Sequence, residues 1–288
     1  MTNHNDKLIS EISKIRQILE KTYISNIPDV DWESANAFMW LAELKSFKPV
    51  KSVNAVPLEL LKGIDQNIAL LYDNTERFSK SLPANNALLW GARGMGKSSL
   101  IKAVHNKLSK NSTNKLVLIE IHREDIKDLP DILQELKQQK KTNFIVFCDD
   151  LSFDNEDTTY KSLKTALEGG IEGRPVNVVF YATSNRRHLM AREMIENETS
   201  TAINPSEAIE EKVSLSDRFG LWIGFHNCSQ EQYLSMIKAY ASYFKITIKD
   251  SELEANAISW AAGRGSRSGR VAWQFITDLA SKNNISIY

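Results

Sequence analysis

The segment Gly91–Ser98 has the residue types and the spacing of a phosphate-binding loop. Its eight residues, GARGMGKS, match the pattern G-x-x-x-x-G-K-[ST]. Glycines let a backbone wrap around phosphates without Cβ clashes, and the N–H groups of the turn and of the following helix present positive partial charge to them. In such a loop Lys97 contacts the β- and γ-phosphates, and the Ser98 hydroxyl ligates Mg²⁺. The predicted cofactor-binding residues of this segment are Gly91, Ala92, Arg93, Gly94, Met95, Gly96, Lys97, Ser98 and Ser99.

Two acids, Asp149 and Asp150, directly follow the apolar run Phe144–Cys148. Such a run predicts a buried strand that delivers its last side chains to the carboxyl edge of a sheet, where ligands bind in α/β proteins. Behind a phosphate-binding loop, this arrangement makes Asp149 the carboxylate on the Mg²⁺ side and Asp150 the candidate that polarises an attacking water. The alternative for Asp150 is a helix-capping role at the end of the strand.

The elements that would position these residues are short apolar runs that alternate with helical segments. Continuous apolar strands separated by helices predict a parallel sheet covered on both faces, which is an α/β fold. The predicted strands are Ala87–Trp90, Leu116–Ile121, Phe144–Cys148, Asn177–Ala182 and Leu221–Phe225. The predicted helices are Ser98–Leu108, Leu129–Gln139, Thr158–Leu167 and, nearer the C-terminus, residues 230–244, 251–262 and 268–282. Ser229 and Gln232 have the spacing of a capping box for the first of these last three helices.

The N-terminal residues have a different character. Apolar residues at helical spacing predict a helix over residues 6–22. A group of aromatic residues follows, made of Trp32, Phe38, Trp40 and Phe47. Most such clusters belong to a core, so burial is expected, and a partner site is the alternative.

Composition limits the class of protein. The chain has 288 residues, enough for about two domains or subdomains. Its 36 basic residues balance its 36 acidic ones, so no overall charge attracts nucleic acid or an acidic membrane. Two cysteines are too few for a disulfide framework, no apolar run is long enough to span a bilayer, and the N-terminus lacks a signal-peptide core. We therefore expect a cytoplasmic protein without a membrane partner.

Residues 178–187 read VVFYATSNRR, an apolar strand that ends in polar side chains. Taken with the phosphate-binding loop and the two acids, this segment resembles sensor 1 of the AAA+ ATPases. The resemblance implies that this strand lies between the strand before the loop and the strand before Asp149. It also implies that Asn185 contacts the γ-phosphate and the lytic water, with Thr183 or Ser184 as alternatives.

In similar proteins an arginine that precedes the fifth strand reaches the ATP of the neighbouring subunit. Arg218, in the segment Leu215–Gly220, matches that arginine. A guanidinium stays charged and donates hydrogen bonds in a fork, which suits a γ-phosphate that gains charge in the transition state. The resemblance therefore implies an oligomer, whereas the alternative for Arg218 is a surface salt bridge to Asp217 or Glu211.

Residues 263–271, GRGSRSGRV, resemble sensor 2, which is an arginine near the start of a lid helix. Ser268 or Gly269 would begin that helix and place Arg270 in its first turn. A cation at a helix N-terminus opposes the helix dipole, so an anion beside it is expected. The other reading is a basic surface patch that contacts nucleic-acid phosphates. The alternates for Arg270 within the segment are Arg264 and Arg267.

The resemblance also has a narrower form, carried by five further segments. They are Asn74–Phe78, Asn85–Gly91, Cys148–Phe153, Ala182–His188 and Leu215–Gly220. Together they resemble the bacterial AAA+ family filed as domain of unknown function 815. This implies an AAA+ fold: a parallel sheet of about five strands flanked by helices, a C-terminal helical lid and an N-terminal helical segment. The expected boundaries are 1–55 for the N-terminal segment, 56–227 for the nucleotide-binding core and 228–288 for the lid.

Three further features have weaker assignments. By the family resemblance Ile64, with Leu61 and Gly63, contacts adenine, and ordinary packing is the alternative. His188 is expected to be a neutral surface histidine rather than a catalytic one. Residues 190–212 are polar and charged, so we expect a loop or a partner-binding insertion without chemistry of its own.

The leading expectation is an ATPase that uses ATP and Mg²⁺ in a homo-oligomer, with a hexamer as one arrangement, to remodel or load a protein or nucleic-acid partner. Many AAA+ proteins have glutamate where Asp150 stands, and the shorter side chain places the carboxylate about 1 Å further from the water, so turnover should be slow. The alternative is a nucleotide-dependent switch that binds ATP and scarcely hydrolyses it. A kinase is disfavoured, because nothing in the sequence indicates an acceptor pocket. The expected catalytic residues are Lys97, Asp150, Asn185 and Arg218, and the expected metal ligands are Ser98 and Asp149.

Overall fold

A seven-stranded sheet lies at the centre of the computed structural model, which describes Lys14 and residues 30–110, 114–153, 159–169, 171, 173–187, 189 and 215–287. The spatial order of the strands is β2-β1-β4-β5-β6-β3-β7, and all neighbours are parallel except β1 and β2. The strands are β1 (Ala37–Leu41), β2 (Ser46–Pro49), β3 (Ala87–Gly91), β4 (Lys115–Ile121), β5 (Thr142–Cys148), β6 (Val178–Ser184) and β7 (Leu221–Phe225).

Helices cover both faces of the sheet, so its central strands are buried on both sides. Every residue of β5 is buried, as the continuous apolar run predicts. The described α-helices are α1 (Asp65–Ser79), α2 (Lys97–Leu108), α3 (Leu129–Lys137), α4 (Tyr160–Glu168), α5 (Gln230–Tyr243), α6 (Asp250–Arg264) and α7 (Gly269–Lys282). Two short 3₁₀ helices cover Leu58–Leu60 and Arg123–Asp128.

The fold class is confirmed, and so are the five strands and six helices predicted from residue 87 onward, with ends that shift by one or two residues. β6 lies between β3 and β5, as the family resemblance implies. The capping box of α5 is present: the Ser229 Oγ accepts from the Gln232 N–H at 3.1 Å, and the Gln232 Oε1 accepts from the Ser229 N–H at 3.0 Å. The helix expected over 6–22, His188 and residues 190–212 lie outside the described residues, and the domain boundaries stay a prediction.

The number of strands is seven rather than about five, because β1 and β2 form a hairpin beside β4. This corrects the expectation of a helical segment through residue 55. Phe38 and Trp40 are two residues apart and both are buried on one face, which is the period of a strand. Trp32 packs on the rings of Phe38, Phe47 and Phe144 with centroid distances of 4.9, 5.0 and 4.9 Å. The aromatic residues are therefore core, as predicted, and they fix the hairpin to the sheet.

Within the part of the chain that the structure describes, we find no helix whose length and apolar composition would suit a bilayer crossing.

Candidate functional site

The loop Gly91–Ser98 connects β3 to α2, in the strand–turn–helix arrangement that its sequence predicts. Gly91 has φ +121°, and a Cβ there would lie 2.0 Å from the Phe225 carbonyl oxygen, so only glycine fits against β7. The Ala92 N–H donates to that same oxygen at 2.8 Å. Gly96 is the N-cap of α2 with φ +90°, which points the first N–H groups of the helix at the loop.

Lys97 is buried within this loop, with 7% of its surface exposed. Its ammonium donates to the carbonyl oxygens of Gly91 at 2.8 Å and Ala92 at 2.9 Å, and to the Asn185 Oδ1 at 3.1 Å. Burial lowers the pKa of Lys97, and the charges of two nearby carboxylates oppose that shift. These three acceptors use all three ammonium N–H groups, so a phosphate oxygen bound here would replace one of them.

Ser98 and Asp149 lie side by side at the entrance of α2. The Ser98 Oγ donates to the Asp149 Oδ1 at 2.5 Å, and the Thr183 hydroxyl donates to the same oxygen. Mg²⁺ prefers oxygen ligands and is usually held by one or two carboxylates together with substrate phosphates. One hydroxyl and one carboxylate at the entrance of α2 therefore fit a Mg²⁺ ion that shares its coordination with a phosphate chain.

Asp150 and Asn185 extend from the ends of β5 and β6. The Asn185 side-chain N–H donates to the Asp150 Oδ1, and the Asp150 backbone N–H donates to the Thr183 Oγ1 at 2.9 Å. Asp150 has φ +52°, which turns its exposed carboxylate out of the strand direction. Of the three polar residues considered for this position, Thr183 and Asn185 line the cavity described next, whereas the buried Ser184 hydroxyl accepts from the Arg186 N–H at 3.2 Å.

A cavity of about 1060 Å³ joins these groups to the C-terminal helices. One end is polar and holds the loop and the two acids. The other end is apolar and includes Met236, Tyr240 and Trp273. Gly63 does not line it; its carbonyl oxygen lies 3.4 Å from the Gln232 side chain. The predicted site residues that line the cavity are Leu61, Ile64, Arg93, Gly94, Met95, Gly96, Lys97, Ser98, Ser99, Asp149, Asp150, Asn185 and Arg270.

Arg270 lies in the first turn of α7 and lines the cavity. Ser268 is the N-cap of that helix, where its hydroxyl accepts from the Val271 N–H at 3.2 Å. The other two arginines of the segment do not line the cavity. Arg267 donates to the Gln230 side chain at 3.3 Å, and Arg264 lies over a tryptophan ring at 4.8 Å.

The C-terminal helices touch the phosphate-binding loop directly. The Arg270 N–H donates to the Gly94 carbonyl oxygen at 3.1 Å. A Cβ on Gly94 would lie 2.9 Å from the Ser268 Oγ, so the absence of a side chain lets the helix approach. The loop and the start of α7 are therefore in direct contact.

The charges of the cavity lining favour an anion. Four cationic side chains face two carboxylates among the described lining residues, so the lining is net positive. The cations are Lys62, Arg93, Lys97 and Arg270, and the carboxylates are Asp149 and Asp150. A triphosphate that carries a divalent cation would balance this excess.

Arg218 lies away from the cavity of its own chain. It precedes β7, whereas the loop contacts Phe225 at the other end of that strand, and five residues of strand span about 16 Å. Its Nε donates to the Glu168 Oε1 at 2.7 Å, and its Nη2 donates to the same oxygen. A salt bridge is therefore present within the chain, with Glu168 rather than Asp217; Glu211 lies outside the described residues.

Thr183, expected only as an alternative to Asn185, donates to the Asp149 carboxylate and accepts from the Asp150 N–H. Its spacing of two from Asn185 was the available signal, because alternate residues of a strand share a face. Trp273 and Tyr240 were not predicted from the sequence. Trp273 follows Arg270 by three residues, so both lie on one face of α7. Tyr240 packs edge-to-face on Trp273, with ring centres 5.5 Å apart, and no local pattern indicates that contact.

Comparison with known proteins gives a family and a fold. The family model described as protein of unknown function (DUF815) matches residues 33–283. No curated protein matches the chain. The structure is similar to that of Thermotoga maritima RuvB, a Holliday junction branch migration motor, with 17% identity and a TM-score of 0.53 over 80% of this chain and 66% of that one.

Two further structures of RuvB mutants from Thermotoga maritima agree with this result. Their identities are 17% and 16%, their TM-scores 0.53 and 0.51, and each match covers 80% of this chain and 67% or 66% of the other. The chain thus spans about two thirds of the length of the RuvB structures that it matches. At such identities the likeness concerns the fold, which is that of the AAA+ proteins. Because the family model covers most of the sequence, the chain belongs to the DUF815 family, and its fold confirms the resemblance to AAA+ ATPases.

Proposed function

We propose that this chain is an ATPase that binds ATP with Mg²⁺ in the cavity and hydrolyses it at the contact between two copies of the chain. One observation carries the proposal. At the polar end of one cavity, Lys97, Asn185 and Asp150 form one chain of side-chain hydrogen bonds, and Ser98 and Asp149 form another. The Thr183 hydroxyl joins the two groups, since it donates to the Asp149 carboxylate and accepts from the Asp150 N–H. A phosphate-binding lysine, a metal-ligand pair and a water-orienting pair are the parts that phosphoryl transfer to water needs.

In the proposed complex the phosphates lie against the loop. The N–H groups at the start of α2 and the ammonium of Lys97 bind the β- and γ-phosphates. Arg270 contacts the triphosphate from α7. The base fills the apolar end, against Ile64 and Tyr240. Ser98 and Asp149 would hold Mg²⁺, which supplies neutralisation of the charge on the β- and γ-phosphate oxygens.

The attacking water is oriented by Asp150 and Asn185 in this proposal. The Asp150 carboxylate accepts a hydrogen bond from the water, and the Asn185 amide contacts the γ-phosphate next to that water. Entry of the γ-phosphate would draw the Lys97 ammonium away from the Asn185 Oδ1, to which it now donates. Phosphate binding would therefore give Lys97 a new acceptor and free the Asn185 amide oxygen from the lysine.

A second copy of the chain supplies Arg218. The guanidinium is too far from its own cavity, yet a charged fork of donors is what the γ-phosphate needs as it gains charge. The proposal thus requires a homo-oligomer, for which a ring of six copies is one arrangement. The bond between Arg270 and Gly94 would then link the nucleotide state to the position of α7, and through it to the loading or remodelling of a protein or nucleic-acid partner.

A specific observation favours a second candidate, a nucleotide-dependent switch with very slow hydrolysis. Asp150 carries a shorter side chain than the glutamate of many AAA+ proteins, and its Oδ1 already accepts from Asn185. A carboxylate that is both short and hydrogen-bonded orients a water less well. Tight ATP binding without measurable turnover would indicate this candidate.

The test is phosphate release per subunit, measured against protein concentration for the unaltered protein and for Arg218→Ala. Arg264→Ala is the matched control, because that arginine lies outside the cavity over a tryptophan ring. We expect a rate that climbs with concentration and collapses in Arg218→Ala alone. A flat, near-zero rate in all three with ATP still bound favours the switch. Hydrolysis at the unaltered rate by Lys97→Ala would exclude this site.

A further inference from the structure

Ile171 and Val176 are the two most exposed large apolar side chains in the described part of the chain, at 108% and 96%. Both belong to the segment that connects α4 to β6. The next most exposed, Leu44 and Leu82, each reach 51%. Single exposed apolar residues are ordinary on a protein surface, but two on one short segment indicate an interaction site.

The backbone of this segment folds back on itself around Ile171. Gly169 ends α4 with φ +82°, and a Cβ there would lie 2.3 Å from the Arg174 nitrogen and 2.4 Å from the Gly173 carbonyl carbon. Gly169 therefore lies close to Gly173 and Arg174, and Ile171 between them is fully exposed. We call the described residues Gly169, Ile171 and Gly173–Val176 the projecting loop. Its Arg174 is also exposed.

The projecting loop and Arg218 share one face of the molecule. Glu168, which directly precedes the loop, accepts both hydrogen bonds from Arg218. Asn86 ties the neighbouring strands together at this edge: its side chain accepts from the Phe180 N–H at 2.9 Å, and its backbone accepts from the Leu221 N–H at 3.1 Å. The loop that precedes β6 and the segment that precedes β7 therefore lie at the same edge of the sheet.

We infer that the projecting loop, with Ile171 and Val176, docks on a second copy of this chain beside that copy's nucleotide cavity. The inference rests on the proposed function, which already requires Arg218 to face the cavity of another copy. Any surface contiguous with Arg218 becomes buried in the same contact.

The apolar side chains have a separate role from the arginine in this contact. A charge pair at a wet interface contributes little net free energy and weakens with salt. The free energy gained by burying Ile171 and Val176 is, to first order, independent of salt, and it scales with the apolar area removed from water. The loop therefore holds the copies together, and Arg218 completes the catalytic site once they are joined.

The experiment compares Ile171→Ser/Val176→Ser with the unaltered protein by sedimentation velocity, with a non-hydrolysable ATP analogue and Mg²⁺. Leu44→Ser is the matched control, since that leucine is exposed at the far side of the sheet, between β1 and β2. Both variants replace side chains that make no part of the core, so both should bind a fluorescent ATP analogue as the unaltered protein does. We expect the concentration for half-assembly to rise on the order of tenfold in the loop variant alone.

One result would overturn the inference while leaving the proposed function standing: equal self-association of the loop variant and the unaltered protein, including the case in which the loop instead proves to bind nucleic acid or another protein. An unaltered protein that binds and hydrolyses the nucleotide but stays monomeric at every concentration would overturn both, because the proposed function places hydrolysis at a contact between two copies. Failure of the unaltered protein to bind the nucleotide would refute the proposed function itself.

Discussion

The side-chain amide of Asn185 donates to the Asp150 carboxylate and accepts from the ammonium of Lys97 at 3.1 Å. One planar amide thus joins the phosphate-binding lysine to the acid beside the phosphate end of the cavity. An amide has a donor and an acceptor on one carbon, so it can serve a cation and a carboxylate at once, which a carboxylate in its place could not do. Asn185 therefore connects the loop lysine to Asp150 directly.

Replacement of this amide should separate nucleotide binding from hydrolysis. We expect Asn185→Ala to lower the single-turnover hydrolysis rate by about 10²-fold, as loss of one positioned donor commonly does, while ATP affinity changes only a few-fold. Asn185→Asp should be at least as slow, because a second carboxylate would face Asp150. Rapid-quench hydrolysis and titration of a fluorescent ATP analogue measure the two quantities. An unchanged rate in Asn185→Ala would contradict the assignment.

The length of the acid at position 150 should limit turnover. Asp150→Asn is expected to abolish hydrolysis with ATP still bound, because an amide cannot accept the proton of the water. Asp150→Glu should raise kcat roughly threefold to tenfold, since the longer side chain brings the carboxylate nearer the water. Steady-state phosphate release measures kcat, and a melting curve of each variant separates an effect on chemistry from loss of fold. Equal or lower turnover in Asp150→Glu would show that reach is not limiting.

A side chain at Gly94 should disturb the contact between the loop and the C-terminal helices. In Gly94→Ala the new Cβ would lie 2.9 Å from the Ser268 Oγ and 3.1 Å from the Arg270 Cβ, at a φ of +72°. We expect a fall in ATP affinity as α7 moves away, and a loss of about 1–2 kcal/mol in the free energy of unfolding from the left-handed backbone. Isothermal titration and urea unfolding measure the two effects.

Gly263→Ala is the control for that substitution. Gly263 lies within α6, and a Cβ there meets nothing within 4 Å. Alanine should stabilise the helix by about 1 kcal/mol without altering ATP affinity. If both glycine variants lowered the affinity alike, the effect would not come from the contact with Ser268 and Arg270.

The polar end of the cavity follows from short patterns in the sequence. Gly91–Ser98, Asp149 and Asn185 each follow or end a strand that its own apolar run predicts. Since the carboxyl ends of parallel strands share one edge, the three segments are expected to meet there. The order of the strands needed the family resemblance, because apolar runs carry no information about which neighbours pair.

Contacts between distant parts of the chain were not predictable in the same way. Glu168 lies fifty residues before Arg218, and neither neighbourhood contains a signal for the pair. The alternation of Phe38 and Trp40 indicates a strand, but its pairing with β4 depends on aromatic packing that involves Trp32 and Phe144. Such contacts are selected by the packing of the whole core rather than by local propensity.

The ion pair between Glu168 and Arg218 should hold the arginine back from a second copy. Glu168→Gln removes the charge and keeps the shape, so Arg218 can leave its place at a lower cost. Exposed ion pairs contribute about 0–1 kcal/mol to the stability of the conformation that they hold. Loss of this pair should therefore raise the hydrolysis rate by up to about fivefold at protein concentrations below half-assembly. Phosphate release over a concentration series measures it, with no change expected at saturation. A lower rate at every concentration would mean instead that Glu168 aligns the arginine.

His105 should make the stability of the fold depend on pH. It is 1% exposed; its Nε2 lies 3.2 Å from the Leu116 carbonyl oxygen, and its Nδ1 has no hydrogen-bond partner within the described part of the chain. A carbonyl oxygen only accepts, so the neutral ring donates from Nε2. Burial lowers the pKa of His105 from 6.5 to about 4, although the bond to Leu116 opposes the shift. The folded chain therefore resists a proton that the unfolded chain takes up.

The sign of the effect follows from that difference in proton uptake. Between pH 6.5 and 4 the unfolded state binds the proton and the folded state does not, so the free energy of unfolding falls as the pH is lowered. The fall is about 3 kcal/mol in total. Above pH 6.5 the free energy of unfolding does not depend on His105. His105→Gln should flatten this slope, whereas the exposed His226→Gln should leave it intact. Urea unfolding at pH 7.5, 6.5, 5.5 and 4.5 gives the slopes. Parallel slopes for His105→Gln and the unaltered protein would show that the buried ring is not the titrating group.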